Sequence, residues 1–132
     1  DKDQGSKRGE NVVYTFDIDG LRICHFGDIG HVPSAQQIAE IGDIDVALLP
    51  VGGIFTVDAT EAYEIVKLLK PNVTIPMHYK TPYLKFGLDD VNSFLSKAGV
   101  SGNAEVLLRK NEIEITKDNI HQFPSIIVFD YK

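Results

Sequence analysis

The sequence contains a single cysteine and no tryptophan. Because Cys24 has no partner within the chain, an intrachain disulfide is impossible, and a reducing compartment, the cytoplasm, is the expected location. No apolar run approaches the ~18 residues that span a bilayer. The first residues, 1–4, are too polar for a signal peptide. These absences predict a protein without a membrane segment or a membrane partner.

Clustered positive charge is also scarce. The formal net charge is -6, and the Lys/Arg residues form no block longer than the pair Lys7-Arg8. A sequence-independent nucleic-acid surface needs clustered cations that displace counterions, so a nucleic-acid partner is not expected. The phosphate-binding patterns G-x-x-x-x-G-K-[ST] and G-x-G-x-x-G are missing as well, which weakens a nucleotide-binding interpretation. An anionic substrate would have to be held by a metal or by a few local cations.

The chain does have enough apolar residues for a core. Of its 132 residues, 43% are apolar, which fits a single domain. Periodicity and capping residues predict alternating strands and helices. The predicted strands are 12–18, 21–26, 46–49, 73–75, 105–108, 113–116 and 125–129, with turns at Asp19-Gly20 and Lys110-Asn111; the predicted helices are 35–41 after Ser34, 59–69 after Asp58, and 88–98 before Gly99.

Three predicted strands are each followed by an unusual cluster: Gly27 to His31, Pro50 to Gly53, and Pro76 to Tyr79. Ligands collect at the carboxyl ends of strands in layered α/β structures, so the three strand ends predict one shared site. Asp28 offers carboxylate oxygens and His78 a ring nitrogen, and such donors suit zinc, iron or manganese. Two ligands alone do not hold a metal tightly, so further ligands must come from elsewhere.

Structural roles compete with this interpretation. Asp28 after a glycine is equally typical of a turn or a helix cap. His78 is compatible with a buried, hydrogen-bonded histidine, and Gly52-Gly53 with a close backbone approach. His31 is balanced between support of a metal ligand and an ordinary loop position, whereas His25, inside a strand, favours a structural role.

The segments Lys7 to Asn11, Gly27 to His31, Pro50 to Gly53 and Pro76 to Thr81, taken in this order, resemble the metallo-β-lactamase superfamily. The similarity covers about residues 1–98 and no single short motif carries it. It is strongest to the branch of zinc-dependent hydrolases that includes L-ascorbate-6-phosphate lactonase. The resemblance implies an α/β (α+β) chain that forms the C-terminal αβ half of a four-layered αββα sandwich, with residues 1–132 as a single partial domain.

The resemblance also implies roles for particular residues. Asp28 aligns with the aspartate that bridges two metals, and His78 with the last histidine ligand of the second metal. The expected cofactor is zinc, two ions in the complete site, with manganese or iron as alternatives. No catalytic residue is assigned. The residues expected to support the ligands or to contact substrate are His31, Gly53, Tyr79, Lys80 and Arg8.

The sequence departs from the family at one important point. The family's H-x-H-x-D-H cluster is missing, and no His-x-His occurs anywhere. The resemblance therefore implies a metal-dependent hydrolase that is inactive as this chain alone. Its expected substrate is a small molecule, with anionic and phosphorylated compounds among the candidates. The other half is expected on an upstream segment, a separate chain or a second copy, and without it the sheet would expose an apolar face. The alternative is a non-catalytic α/β interaction module or an inactive fragment of the fold.

Overall fold

A computed structural model of the chain describes residues 9–99, the backbone of residues 107–108, and residues 111–130. Arg8, named above as a candidate, lies outside these residues. In the described part, no helix is long and apolar enough to cross a membrane. The elements are β1 (Tyr14–Ile18), β2 (Leu21–His25), α1 (Ala35–Ile41), β3 (Val46–Pro50), α2 (Ala59–Leu69), β4 (Val73–Met77), α3 (Val91–Lys97), β5 (Leu107–Leu108), a 3-10 helix (Ile120–Gln122) and β6 (Val128–Phe129).

Four strands form the main sheet in the order β1-β2-β3-β4. β1 and β2 are an antiparallel hairpin, and both turn residues have positive φ, 49° at Asp19 and 80° at Gly20, as a two-residue hairpin turn requires. β2, β3 and β4 are parallel. Their carboxyl ends therefore meet at one edge of the sheet, which is where the candidate site residues follow.

One face of the sheet carries the larger core. Cys24 and Phe26 from the β2 region and Leu49 from β3 are fully buried there. α2 and α3 cover this face, and their buried side chains include Ala62, Ile65 and Phe94. The helices thus fix the sheet from one side and leave the strand ends accessible.

The other face is covered only in part. Register pairs place Phe16 beside Ile23, and Ile23 beside Val46, on this same face. Ile120 and Ile127 of the C-terminal segment form one cluster with Leu21 of β2, Val46 of β3 and Val73 of β4. On β1, by contrast, three apolar side chains stay exposed, and we call them the open face: Tyr14 (55% exposed), Phe16 (45%) and Ile18 (53%). Within the described residues, β1 therefore carries an exposed apolar surface on this face.

The capping residues were good predictors of helices. Ser34 and Asp58 form capping boxes with Gln37 and Glu61, and α1 and α2 have the predicted bounds. α3 is shorter than predicted: it begins at Val91, and Asp90 is its N-cap. Residue 89 is not helical, because its backbone N–H donates to the Gly52 carbonyl.

The predicted hairpin of 105–108 and 113–116 is wrong. Residues 113–116 form no strand, and β5 pairs in parallel with β6, far along the chain. Ile113 and Ile115 pack on the partly covered sheet face, so their alternation reflects burial rather than strand pairing. Residues 105–106 and 109–110 lie outside the described residues.

Candidate metal centre

The two predicted ligands come together at the edge formed by the carboxyl ends of the parallel strands. Asp28 follows β2 after two residues, and His78 directly follows β4. Asp28 Oδ1 lies 3.5 Å from His78 Nδ1, and the two side chains are 69% and 50% exposed. An exposed contact of this kind stabilises a fold little, so stability alone does not explain why the two side chains meet.

The spacing of these donors fits a shared metal ion. A tetrahedral zinc ion binds oxygen and nitrogen donors at roughly 2.0–2.2 Å, which places two donors of one ion about 3.4 Å apart. The observed 3.5 Å agrees with this value and exceeds the roughly 2.7–3.2 Å of an N–H···O hydrogen bond. One carboxylate and one imidazole are also a donor set that zinc, iron and manganese accept. The residues present therefore fit two ligands of such an ion.

Hydrogen bonds with two side chains, Asn11 and His25, fix the backbone of the turn that carries Asp28. The Asn11 side chain accepts a hydrogen bond from the Asp28 N–H (2.8 Å) and donates one to the Phe26 carbonyl (2.9 Å). His25 Nδ1 accepts from the Gly27 N–H (3.0 Å). Gly27 has φ 59°, and a Cβ there would lie 2.5 Å from Asn11 Oδ1, so only glycine lets Asn11 approach this turn. We call the Asn11 contacts the Asn11 clasp.

His78 is held by the neighbouring loop after β3. Its φ is 53°, the left-handed region that a histidine enters more readily than most residues but still uncommonly. The Val51 N–H donates to the Met77 carbonyl (3.1 Å), which aligns the ends of β3 and β4. A Cβ at Gly52 would lie 2.0 Å from the His78 carbonyl oxygen, so a residue with a side chain at position 52 would displace the backbone of His78.

Among the other candidates, His31 and Gly53 lie in the adjoining loops. His31 is half-buried three residues after Asp28, and within the described residues it makes no hydrogen bond or ion pair with another side chain. Gly53 has φ 70°; its N–H donates to the Val57 carbonyl and its own carbonyl accepts from the Phe55 N–H. Gly53 therefore shapes the loop beside the site.

Tyr79 and Lys80 follow His78 directly and differ in burial. Tyr79 is partly buried and packs against the larger core. Lys80 is exposed, and its backbone N–H donates to the Asp89 carbonyl (2.9 Å), which closes the loop of residues 80–89. Its ammonium group is thus a local cation available at the edge of an acidic chain.

The site is incomplete within the part of the chain that the structure describes. No group of three or more His, Cys, Asp and Glu side chains there could hold a metal ion. Cys24 does not add a ligand, because it lies in the core and burial raises the pKa of its thiol to about 11. A tight site at Asp28 and His78 would need ligands from another segment or another chain.

Sequence reasoning missed the supporting residues of this site. Asn11 lies 17 residues before Asp28, and no local pattern announces a side chain that binds a distant turn. His25 was assigned a structural role, and its hydrogen bond to the Gly27 backbone is of that kind, although it serves the turn that carries Asp28. Two signals were available: the segment Lys7 to Asn11, which takes part in the family resemblance, and the turn Gly27-Asp28, whose N–H groups need acceptors.

Comparison with known proteins identifies the family. A family model described as a beta-lactamase superfamily domain matches residues 1–78. A crystal structure of a Thermotoga maritima protein, named as a Zn-dependent hydrolase of the metallo-beta-lactamase superfamily, superposes with a TM-score of 0.78 at 41% sequence identity, covering 92% of this chain and 59% of that one. The chain belongs to the metallo-β-lactamase superfamily. The predicted family and fold class are thereby confirmed.

Curated relatives in the superfamily are named UPF0173 metal-dependent hydrolases. The protein from Nanoarchaeum equitans is 43% identical over 91 residues, which are 68% of this chain and 41% of the relative. The protein from Carboxydothermus hydrogenoformans is 33% identical over 120 residues, 84% of this chain and 52% of the relative. The chain thus spans about half or less of the length of these relatives.

Proposed function

We propose that this chain supplies the second half of the active site of a dinuclear zinc hydrolase, with Asp28 and His78 as metal ligands. The observation that carries the proposal is the 3.5 Å between Asp28 Oδ1 and His78 Nδ1 at the ends of two parallel strands. The names of the superfamily relatives, metal-dependent hydrolases, support the reaction class. When bound, a metal would polarise the substrate and lower the pKa of water. Manganese or iron would use the same donors.

The chain's own residues then have distinct tasks. The Asn11 clasp orients the turn of Asp28, and Gly52 leaves room for the backbone of His78. Lys80 supplies a positive charge near the edge for an anionic or phosphorylated small molecule, such as a phosphorylated lactone. His31 supports a ligand or contacts substrate from the loop after Asp28. Arg8 and Tyr79 remain candidates for substrate contacts, and Gly53 for shaping the pocket.

The remaining ligands would come from the other half of the fold, and residues 1–132 would then be a single partial domain. The open face supports this arrangement, because an apolar surface of this kind is normally covered. Upstream residues, a separate chain or a second copy of this chain could provide the cover. The compartment proposed for the protein, the cytoplasm, rests on the lone buried cysteine.

The test uses this chain joined to the other half of the fold. We expect about two metals per chain by elemental analysis. Asp28→Ala should lower hydrolysis of a lactone or phosphate ester by more than about a hundredfold, since even residues that only support a ligand are worth about 10–100-fold. Asp43→Ala is the matched control, because Asp43 is an exposed carboxylate before the opposite end of β3. Unchanged turnover in Asp28→Ala would refute the assignment.

A second candidate function is a non-catalytic interaction module that kept the half-fold without the chemistry. The incomplete ligand set of the described residues and the open face favour it. This candidate predicts no stoichiometric metal and no hydrolysis even when the other half is present. Tightly held metal in the 132-residue chain alone would instead point to ligands from a symmetric partner.

A further inference from the structure

Beside the candidate metal centre, two loops expose an unusual amount of apolar surface. The loop after β3 presents Ile54 (56% exposed) and Phe55 (53%), and the loop after β4 presents Phe86 (59%). Tyr83 and Leu84 continue this surface along the second loop, at 72% and 39% exposure. We call Ile54, Phe55 and Phe86 the apolar wall. Exposed apolar patches that are contiguous mark binding surfaces more often than scattered single residues do.

Ring packing and backbone hydrogen bonds hold the apolar wall in place. The rings of Phe55 and Phe86 pack edge to face with centroids 6.2 Å apart, although they come from different loops. The Lys80 N–H donates to the Asp89 carbonyl (2.9 Å) and the Asp89 N–H to the Gly52 carbonyl (2.9 Å). These bonds close the second loop and fasten it to the first, so the two aromatic rings are held together before any ligand arrives.

The backbone conformation of Ile54 is a second observation that suggests a binding surface. Its φ is 62°, and a β-branched residue in the left-handed region is a genuine outlier. Its side chain nevertheless points outward, and a Cβ on Gly87 would lie 3.5 Å from Ile54 Cδ1. Such strain persists only where the surroundings determine it, and it concentrates at binding sites. The fold therefore keeps an apolar side chain at the surface in an unfavourable backbone conformation.

The apolar wall adjoins the candidate metal centre. Gly52, two residues before Ile54, lies against the His78 carbonyl, and the second loop begins directly after His78. Because β2, β3 and β4 are parallel, both loops and Asp28 lie at the same edge of the sheet. The open face, which the other half of the fold would cover, belongs instead to β1. The wall is thus placed for a ligand of the site.

We propose that the apolar wall binds an aryl or alkyl group of the substrate, next to the bond that is hydrolysed. This inference rests on the proposed function and narrows it to substrates that combine a polar, hydrolysable group with an apolar one. Lys80 and Lys85 are exposed on the same loop as Phe86, so an additional anionic group on the substrate is compatible with the wall.

The experiment compares two metal-binding probes, acetohydroxamate and phenylacetohydroxamate, on the zinc-loaded protein that contains both halves of the fold. Both probes carry the same metal-binding group, and only the second carries a ring. Calorimetry should show the phenyl probe binding about tenfold more tightly, since burial of a ring adds apolar contact. In Phe55→Ala and Phe86→Ala, this advantage should fall to about twofold or less, while acetohydroxamate binds as before.

Controls separate the possible failures. Leu68→Ala removes an equally exposed apolar side chain from α2 and should keep the full phenyl advantage, and Phe86→Leu should keep part of it. If the phenyl probe still binds about tenfold more tightly than acetohydroxamate in both alanine variants, the proposed role of the apolar wall is overturned. A parent protein that binds both probes equally tightly also overturns the proposal. If the oligomeric state then changes in Phe86→Ala, a second copy or the other half occupies the wall instead. Failure of acetohydroxamate itself to bind the zinc-loaded parent overturns the proposed function, and this inference with it.

Discussion

At the scale of single residues, the backbone turns that carry Asp28 and His78 position these two exposed side chains of the candidate metal centre. Asp28 and His78 are not packed into a core, so their positions come from the turns that carry them. Asn11 satisfies the Asp28 N–H and the Phe26 carbonyl, and His25 satisfies the Gly27 N–H. A metal ligand that is half in solvent gains its precision from such neighbours.

The Asn11 clasp predicts that Asn11→Ala weakens metal binding without unfolding the protein. The variant loses two hydrogen bonds, each worth about 1 kcal/mol, and frees the turn of Asp28. In the protein that contains both halves of the fold, we expect zinc affinity to fall by about 10–100-fold, measured by competition with a chromogenic chelator. Asn92→Ala, at an exposed position in the first turn of α3, should leave the affinity unchanged. Equal affinity in Asn11→Ala and the parent would contradict the role of the clasp.

The sequence could identify the metal-ligand candidates because Asp28 and His78 lie in the short segments that follow two predicted strands, and strand ends converge in parallel sheets. It placed Asn11 in a segment that resembles the family but could not assign its role, since a side chain that binds a turn 17 residues away leaves no periodic signal. Whether Asp28 and His78 bind a metal remains a prediction. Their geometry is compatible with it, and measurement of metal content decides it.

At the scale of elements, local signals predicted the helices and the hairpin well, because caps and turns are local chemistry. The capping boxes at Ser34 and Asp58 fixed two helix starts, and Asp19-Gly20 fixed the hairpin turn. The tail failed for the opposite reason. Its short strands pair in parallel across about twenty residues, and the alternating isoleucines of residues 113–116 follow burial against the sheet.

The junction of β3 and β4 predicts a large effect of Gly52→Ala. The new Cβ would lie 2.0 Å from the His78 carbonyl oxygen, so one of the two strand ends has to move. We expect a loss of about 1–3 kcal/mol in the free energy of unfolding, as for other overpacked sites, together with weaker metal binding as His78 shifts. Urea unfolding and the chelator competition measure the two effects.

Gly87→Ala is the matched control for this junction. Its Cβ would meet Ile54 Cδ1 at 3.5 Å, an ordinary van der Waals contact. We expect its unfolding free energy to stay within about 0.5 kcal/mol of the parent, as for most surface substitutions. If Gly52→Ala were as stable as Gly87→Ala and bound metal normally, the close approach to His78 would not be a constraint on the site.

At the scale of the whole molecule, the chain has one well-covered sheet face and one partly covered face. The helices bury the first, and on the second the described part of the C-terminal segment packs with residues of β2, β3 and β4, while Tyr14, Phe16 and Ile18 of β1 stay exposed. Tyr14 and Phe16 stack on each other with centroids 6.3 Å apart while both remain about half exposed. Stacked aromatics on an uncovered strand are characteristic of a surface that meets a partner. The proposed second half of the fold would account for both the incomplete ligand set of the described residues and the open face.

The open face predicts that Phe16→Glu weakens association with the other half of the fold while the chain itself still folds. In the 132-residue chain the new carboxylate faces solvent, so the unfolding free energy should change by less than about 1 kcal/mol. In the assembled fold the same carboxylate would be buried without a partner, which is costly. We therefore expect at least tenfold weaker association with the separately expressed other half, roughly 1.4 kcal/mol, by analytical ultracentrifugation. Thr15→Glu places the same charge on the opposite face of the same strand and should leave association intact. If both variants weakened association equally, the edge of β1 rather than the open face would be the contact.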